Sequence, residues 1–584
     1  MDMTLDPTRE RPAGRTLRLW PGVVLVSLQW LVRLGVPAVV PGGAVWGVLG
    51  GLGLGLLVLL WWVLFSRAPW SERLLVPLVM VVAFLATRPF LHESIAGGMM
   101  GMFFFIQAPP MLCAALVLWA ASTRRLGSWP RRTALAVALL LGCSAFLLVR
   151  TGGLSGEADS ELHWRWTATP EERLLAGDRG PRTAAASSGG SGSDAAEAEW
   201  PGFRGPARDG VVRGVRIGTD WATAPPVEMW RRPVGPAWSS FAVQGDVLFT
   251  QEQRGDEEAV SCYRIASGEP VWRHGDPARF WESNAGAGPR GTPTLRDGRV
   301  YTFGATGILN ALDARDGAVL WSRNPPEDTQ KKTPGWGFAS SPLVIDDLVV
   351  VATAGVLAAY DAGTGERRWT NPTRGYGYSS PHRVTIGGVE QIVLLNGTGA
   401  IGVAPADGTL LWEHAFPGDG IVQPGLTGDG DILIGSGSGL GSGTQVGIRR
   451  IAFEPAANGW TVHERWTSTG LKPYFNDFVV HRGHAFGFDG ALLSCIDLAS
   501  GERRWKGGRY GHGQLVLLAE QGLLLVLSEN GEIALVAAEP SGFTELGRAP
   551  ALSDKTWNHP VVVRDVLLVR NDREMAAFRL APPS

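Results

Sequence analysis

The sequence predicts an α-helical transmembrane bundle followed by an all-β, eight-bladed β-propeller. Three observations carry this expectation. Residues 20–150 hold five apolar stretches, each near the ~20 residues needed to cross a hydrocarbon core. Residues 200–584 hold a spaced pattern ending in Trp that recurs at roughly 40 to 54 residues, the period of propeller blades. The first and last strand-like segments of that region are incomplete in complementary ways, as ring closure requires.

Composition sets the outer bounds. A chain of 584 residues exceeds one ordinary core, and a formal net charge of −2 without a basic run argues against a nucleic-acid partner. The four cysteines, Cys113, Cys143, Cys262 and Cys495, form no CxxC or Cys/His cluster, so neither a disulfide framework nor a structural zinc site is expected. The organisation reads as a cytoplasmic N-terminus over 1–19, a transmembrane region over 20–150, a flexible linker over 151–199 and the propeller over 200–584.

The apolar stretches run over Pro21–Val40, Gly43–Phe65, Leu74–Phe90, Met99–Ala121 and Thr133–Val149. Arg9, Arg11, Arg15 and Arg18 precede the first. Arg67 and Arg73 lie between the second and third, and Arg124, Arg125, Arg131 and Arg132 between the fourth and fifth. By the positive-inside rule these ends are cytoplasmic, and an odd number of spans exports everything beyond Val149. The expected location is the inner membrane, with the propeller on the periplasmic or extracellular side. Arg33, Arg88 and Gln107 are the polar residues of this region, read as helix ends or inter-helix hydrogen bonds. In the linker, Ala184–Gly192 is low-complexity spacer, and Leu162–Ala176 suggests a short amphipathic helix capped by Thr169.

The repeat has a fixed register: a small residue, usually Asp two positions on, Gly four later and Trp four after that. Ala311, Asp313, Gly317 and Trp321 set it; copies end at Trp369 and Trp505, and at Trp272 and Trp412 with the acid replaced. Trp466 ends a longer copy, Gly542 with Leu546 ends one that has lost its Trp, and Trp230 belongs to a copy at the start. Asp-Gly and Thr-Gly pairs make tight hairpins, after which each Trp packs on the neighbouring blade. Trp272, Trp321, Trp369, Trp412, Trp466 and Trp505 are therefore expected to be structural, docking residues. Val227–Arg231 has no blade of its own, and Val561–Leu580 lacks a final strand, so the two should pair.

On these residues the chain resembles the PQQ-like repeat superfamily, and Trp200–Val211 (WPGFRGPARDGV) resembles the opening of BamB-like bacterial propellers. The resemblance implies one of two roles. One is a non-catalytic scaffold with protein partners in the cell envelope. The other is a dehydrogenase using PQQ and Ca²⁺ and passing electrons to the membrane quinone pool, as in the membrane glucose dehydrogenase type with its five spans. A sensor is a third option, although no cytoplasmic effector domain is visible in the sequence.

Candidate site residues lie in loops leading into the innermost strands, where propeller ligands usually sit. Asp477, His512 and His559 are the catalytic candidates; Glu282, Arg290, Trp336, Lys472 and Asn476 are the cofactor-binding candidates. An Asp/Asn/Glu set with nearby His suits a quinone, its cation and a hydride-accepting base. Against this, the blades are nearly minimal in length and lack the long insertions of such enzymes. The scaffold reading is favoured, with Trp238, Trp336, Tyr376, Tyr378 and Trp557 as contact residues.

Overall fold

The computed structural model describes residues 17–40, 43–156, 160–177, 197–371, 375–437, 447–456 and 459–583. Most of the N-terminal arginines, the Ala184–Gly192 spacer and Arg374 of one incoming loop lie outside them. The chain divides into two compact units, essentially residues up to Thr167 and from Ala168 onward.

The first unit has five helices long and apolar enough to cross a membrane: Trp20–Val39, Ala44–Phe65, Trp70–Phe90, Phe103–Ser122 and Ser128–Leu147. The first two meet along Gly47, Gly51 and Gly55, where an added Cβ on the first and third would strike Pro37 and Gln29 and one on Gly51 would touch Arg33. This small-residue stripe lets Gln29 Nε2 donate to the Gly51 carbonyl at 2.9 Å, so a buried polar residue of the first span is an inter-helix tie. The fifth span starts five residues earlier than its hydropathy suggests, taking in Arg131 and Arg132. Arg131 pairs with buried Glu72 at 3.3 Å, which accounts for a charged first turn. Beyond the last span, Val149–Leu154 and Ser160–Trp164 form an antiparallel hairpin. The expected helix is therefore confined to Pro170–Gly177, and Leu162, His163 and Trp164 belong to a strand. Thr169 does cap that helix, accepting from the Glu172 amide at 2.9 Å while Glu172 accepts from the Thr169 amide.

The second unit is an eight-bladed propeller, each blade an antiparallel meander of four strands numbered from the channel outward. Blade 1 is Ala242–Gln244, Val247–Arg254, Glu257–Arg264 and Pro270–Asp276; blades 2, 3 and 4 begin at Thr294, Leu343 and His382. Blades 5, 6, 7 and 8 begin at Gly425, Val479, Gln514 and Val561. Blade 8 takes Val227–Pro233 as its outer strand, pairing Trp230 with Ala577, so the two incomplete ends close the ring.

The repeat register has a physical reading. The small residue faces the Trp across the outer hairpin, as in Ala311 opposite Trp321 and Cys495 opposite Trp505. The acidic residue organises the turn: Asp361 Oδ1 accepts the Gly363 and Thr364 amides at 2.9 and 2.8 Å. The Gly lies under the indole of the preceding blade. Gly317 (φ +75°) and Gly365 (φ +70°) need the left-handed region, and a Cβ on either would sit 2.5–2.6 Å from that ring. Each docked indole then donates to the carbonyl just after the acidic position. These bonds run from Trp230 to Ile265, Trp272 to Ala314, Trp321 to Ala362, Trp369 to Pro405, Trp466 to Leu498 and Trp505 to Glu539, at 2.6–3.1 Å.

Two seams depart from the rule. In blade 4 the small residue is Gly402, and without a Cβ there the Trp412 indole folds onto its own blade and donates to Gln391 at 2.7 Å. Its ring still meets Phe453 of blade 5 (centroids 4.9 Å apart), and Trp460 reaches back from blade 5 to cover Gly387. In blade 7 the register puts Gly547, not Leu546, where a Trp would stand, opposite Leu535, and Trp221 packs on that glycine instead; Leu546 takes the bulge position before it.

The closing seam carries a buried polar weld. Arg570 of blade 8 donates to Thr250 Oγ1, the Gln251 carbonyl and the Gly235 carbonyl. Beside it Glu252 accepts from Tyr263 and the Gly235 amide, both at 2.6 Å, and pairs with Arg254 at 3.1 Å. Burial pushes the Glu252 carboxyl up, but Arg254, Ser261, Tyr263 and that amide outweigh it and hold the group at about 2. Its folded-state value lies below the ordinary 4.5 of an unfolded carboxylate, so its stabilisation is complete above pH 4.5 and is lost as pH falls toward 2. Glu252→Gln should lower the melting temperature at neutral pH and flatten its decline over that acid window, measured by circular dichroism. Trp321→Ala should cost about 3–5 kcal/mol in denaturant unfolding, whereas Leu546→Ala, at a half-exposed position, should cost under about 1 kcal/mol.

Candidate functional site

The loops leading into the innermost strands are joined by a belt of hydrogen bonds around the channel. The Ser240 amide donates to Thr292 Oγ1, the Thr292 amide to Ser341 Oγ and the Ser341 amide to Ser380 Oγ, at 2.9–3.0 Å. Ser379 Oγ donates to the Val422 carbonyl, and the Gln423 amide donates to Asp477 Oδ1 at 2.7 Å. The Asp477 amide donates to Gln514 Oε1, and Gln514 Nε2 to the Trp557 carbonyl. Ser240 Oγ closes the circle on the His559 carbonyl at 2.7 Å. In five of these bonds a side chain (Thr292, Ser341, Ser380, Asp477 or Gln514) satisfies an amide that the meander leaves unpaired, and in the other three a side chain donates to a carbonyl. Asp477 is the acceptor that blade 6 supplies.

The channel itself is crossed by Trp200–Val212. Trp200 pairs with Val243 of blade 1, and the Pro201 carbonyl accepts from Leu295 of blade 2. Arg208 donates to the Ser341 and Pro342 carbonyls of blade 3, and Val211–Val212 lie parallel to Leu517–Leu518 of blade 7. Arg204 Nε lies 3.7 Å from Asp477 Oδ2, whose other neighbour is His559 Nε2 at 3.3 Å. Burial raises the Asp477 carboxyl, but Arg204, His559 and the Gln423 amide bring it below its ordinary value. Burial depresses His559, so the imidazole is neutral at pH 7. Arg204 (φ +60°), Gly205 (φ +85°), Arg208 (φ +54°) and Gly210 (φ +73°) wind this segment into a tight coil. The segment stands out in the sequence, but its place in the channel does not; two arginines among Gly and Pro were the available signal.

The mouth where the inner strands begin is aromatic. Trp238 and Trp557 lie 4.7 Å apart, Trp557 and Phe475 4.9 Å, and Phe475 and His512 5.5 Å. Lys555 Nζ sits 4.4 Å from the Trp557 ring and 5.2 Å from the Trp238 ring. Burial lowers its pKa, against the pull of Asp572, Glu282 and Glu529. Glu529 accepts from Trp557 Nε1 at 2.8 Å and from the His512 amide at 3.0 Å. Trp336 faces Tyr378 at 5.1 Å, and Tyr376 is 54 % exposed.

The candidates therefore fall into separate groups. Glu282 pairs with Arg290 at 3.4 Å, and burial drops the Arg290 guanidinium to about 10. Lys472 pairs with Asp489 at 3.5 Å, a carboxylate shared with Arg503 and Lys506. Buried Asn476 accepts from the Tyr474 amide at 3.1 Å. Asp477 and His559 come together, but beneath the plug and beside Arg204.

A Ca²⁺ site needs about six to eight converging oxygens. Among the described residues no group of three or more Asp, Glu, His or Cys is placed to hold a metal ion, and the guanidinium of Arg204 stands where Asp477 would meet a cation. A planar quinone needs an open slot between facing rings, whereas Trp238 and Trp557 touch each other and Lys555. The residues present do not fit PQQ with Ca²⁺.

The family described as outer membrane protein assembly factor BamB matches residues 219–331 and 256–507. BamB of Shewanella oneidensis is 31 % identical over 159 residues, which is 25 % of this chain and 37 % of that protein. The quinohemoprotein alcohol dehydrogenase ADH-IIG of Pseudomonas putida is 29 % identical over 185 residues, 29 % of this chain and 25 % of that protein. BamB of Moranella endobia is 25 % identical over 331 residues, 54 % of this chain and 81 % of that protein. The chain thus spans about a third of the first of these relatives and a quarter of the second.

Asp477→Ala would leave Arg204 buried without its counter-charge, which costs about 3–5 kcal/mol. A denaturation midpoint shifted to that extent, with Asp477→Asn intermediate because the amide oxygen still serves the Gln423 amide, is the expected result.

Proposed function

Residues 200–584 carry PQQ-like repeats of the BamB-like kind, and on that premise we propose that the protein is a membrane-anchored, periplasmic binding propeller. Its aromatic mouth docks a protein of the cell envelope. The observation that carries the reading is the arc Trp238–Trp557–Phe475–His512, half-buried on rigid strand starts. Large rings already held in place lose little entropy on binding, which is why such residues dominate interface energetics. Trp336, Tyr376 and Tyr378 extend the surface around the channel. The pairing of Asp477 with Arg204 supports the same reading over quinone-dependent oxidation, since the carboxylate serves the plug.

The arginines at 67, 73, 124, 125, 131 and 132 argue for one side of the five-span bundle facing the cytoplasm and for the propeller outside it, at the inner membrane. A scaffold held this way needs no cytoplasmic effector.

Periplasmic cross-linking followed by affinity purification of the full chain should capture a defined envelope partner. Trp238→Ala and Trp557→Ala should each weaken that complex at least about tenfold, the loss of a hot-spot residue. Reconstitution with PQQ and Ca²⁺ should give neither saturable heat nor dye reduction with sugars or alcohols; a quinone chromophore with turnover would overturn the scaffold reading in favour of a dehydrogenase. A reporter fused after Ser584 should be active only outside the cytoplasm.

A further inference from the structure

Beside the plug, along the inner strands of blades 5, 6 and 7, lies a cavity of about 350 Å³. It is lined by Arg204 and Arg213 of the plug segment, His382 of blade 4, and Phe478, His481 and Arg482 of blade 6. Its volume falls at the small end of the range for ligand sites, about 300–1,000 Å³.

The wall is rich in donors and poor in acceptors. His382 Nδ1 and His481 Nε2 are buried and have no hydrogen-bond partner among the described residues, and Arg204 Nε meets Asp477 at 3.7 Å, beyond hydrogen-bond range. His382 is 1 % exposed and Arg204 is 3 % exposed. Neither is reached by bulk water; Arg204 is engaged by Asp477 and by the Asp209 and Phe478 carbonyls, whereas in the tautomer that protonates Nδ1 the His382 N–H carries a desolvation cost that an acceptor in the cavity would remove. The acid in the lining, Asp209, already accepts from Arg213 at 2.6 Å and from the Val211 amide at 3.0 Å. Asp477, behind the wall, is shared between Arg204 and His559. Three guanidinium groups therefore line the cavity, two of them paired with the carboxylates of Asp477 and Asp209.

We propose that this cavity is a binding site for a small oxyanion, a carboxylate or a phosphate group, held by Arg213 and Arg482 at its rim and by Arg204, His382 and His481 in its wall. Guanidinium groups match both oxyanions in planar, two-point geometry, and the imidazole nitrogens supply further donors. The site is separate from the aromatic mouth: within blade 6, Asn476 and Asp477 precede the inner strand and His481 and Arg482 end it.

The test is calorimetry on the full chain in detergent, with inorganic phosphate in one arm and citrate in the other. At least one probe should bind saturably at low millimolar concentration or tighter and raise the melting temperature. Arg213 and Arg482 are exposed, so the double variant Arg213→Gln, Arg482→Gln should fold normally and bind at least about tenfold more weakly, while Trp336→Ala binds as the wild type does. His481→Phe gives a second reading, in which the same loss is expected. No saturable heat from either probe, or binding unchanged in the double variant, would overturn the site.

Discussion

Everything in the propeller depends on an indole N–H reaching one carbonyl of the next blade. That single bond fixes the repeat register: a Gly under the ring, a small residue opposite it, and an acid-organised turn that holds the acceptor carbonyl outward. The seams that break the rule show its logic. When Gly402 removes the Cβ that pushes an indole outward, Trp412 turns to its own blade, and Trp460 crosses the seam from the other side. When blade 7 has no Trp, Trp221 is brought from another part of the chain. Each seam is covered, although the residue that covers it varies.

The belt and the plug do the same for polarity. Ser, Thr, Gln and Asp occupy equivalent places around the channel because each can accept from a backbone amide. The chemistry of any one of them is incidental to that task. Arg204 and Arg208 satisfy inner-strand carbonyls where no further strand could. Polar groups that look like a reaction centre in isolation are thus largely spent on closing the ring, which leaves recognition to the mouth and to the cavity beside the plug.

Much of the architecture was legible in the sequence because its signals are chemically rare. Few folds besides a stacked ring call for Trp at regular spacing with Gly four residues before it, and long apolar stretches are costly anywhere but in a bilayer. The belt was not legible, since its members share a geometry and not a residue type; Asp477 alone resembled a ligand. The plug was hidden for a related reason: a short Gly- and Pro-rich segment has no periodicity, and its partners Asp477, Phe478, Ser341 and Leu517 are far away in sequence. Around Trp164, helix-like composition concealed a period-two alternation that the hairpin uses. The start of the fifth span was hidden because hydropathy cannot register the Glu72–Arg131 pair that makes charge tolerable there.

Threading Trp200–Val212 through the channel imposes an order of events on biosynthesis. Both this segment and Val227–Pro233 leave the ribosome before any complete blade, yet the partners of the latter lie in Glu574–Arg579, made after the other seven blades. The ring is therefore a clasp that cannot be fastened until blade 8 has been made, and the strand meant for its core must already be lying across the gap. For most of its synthesis the domain is an open arc with a bare edge at each end, so it is at this stage, rather than in the finished molecule, that chaperones and proteases have their opportunity.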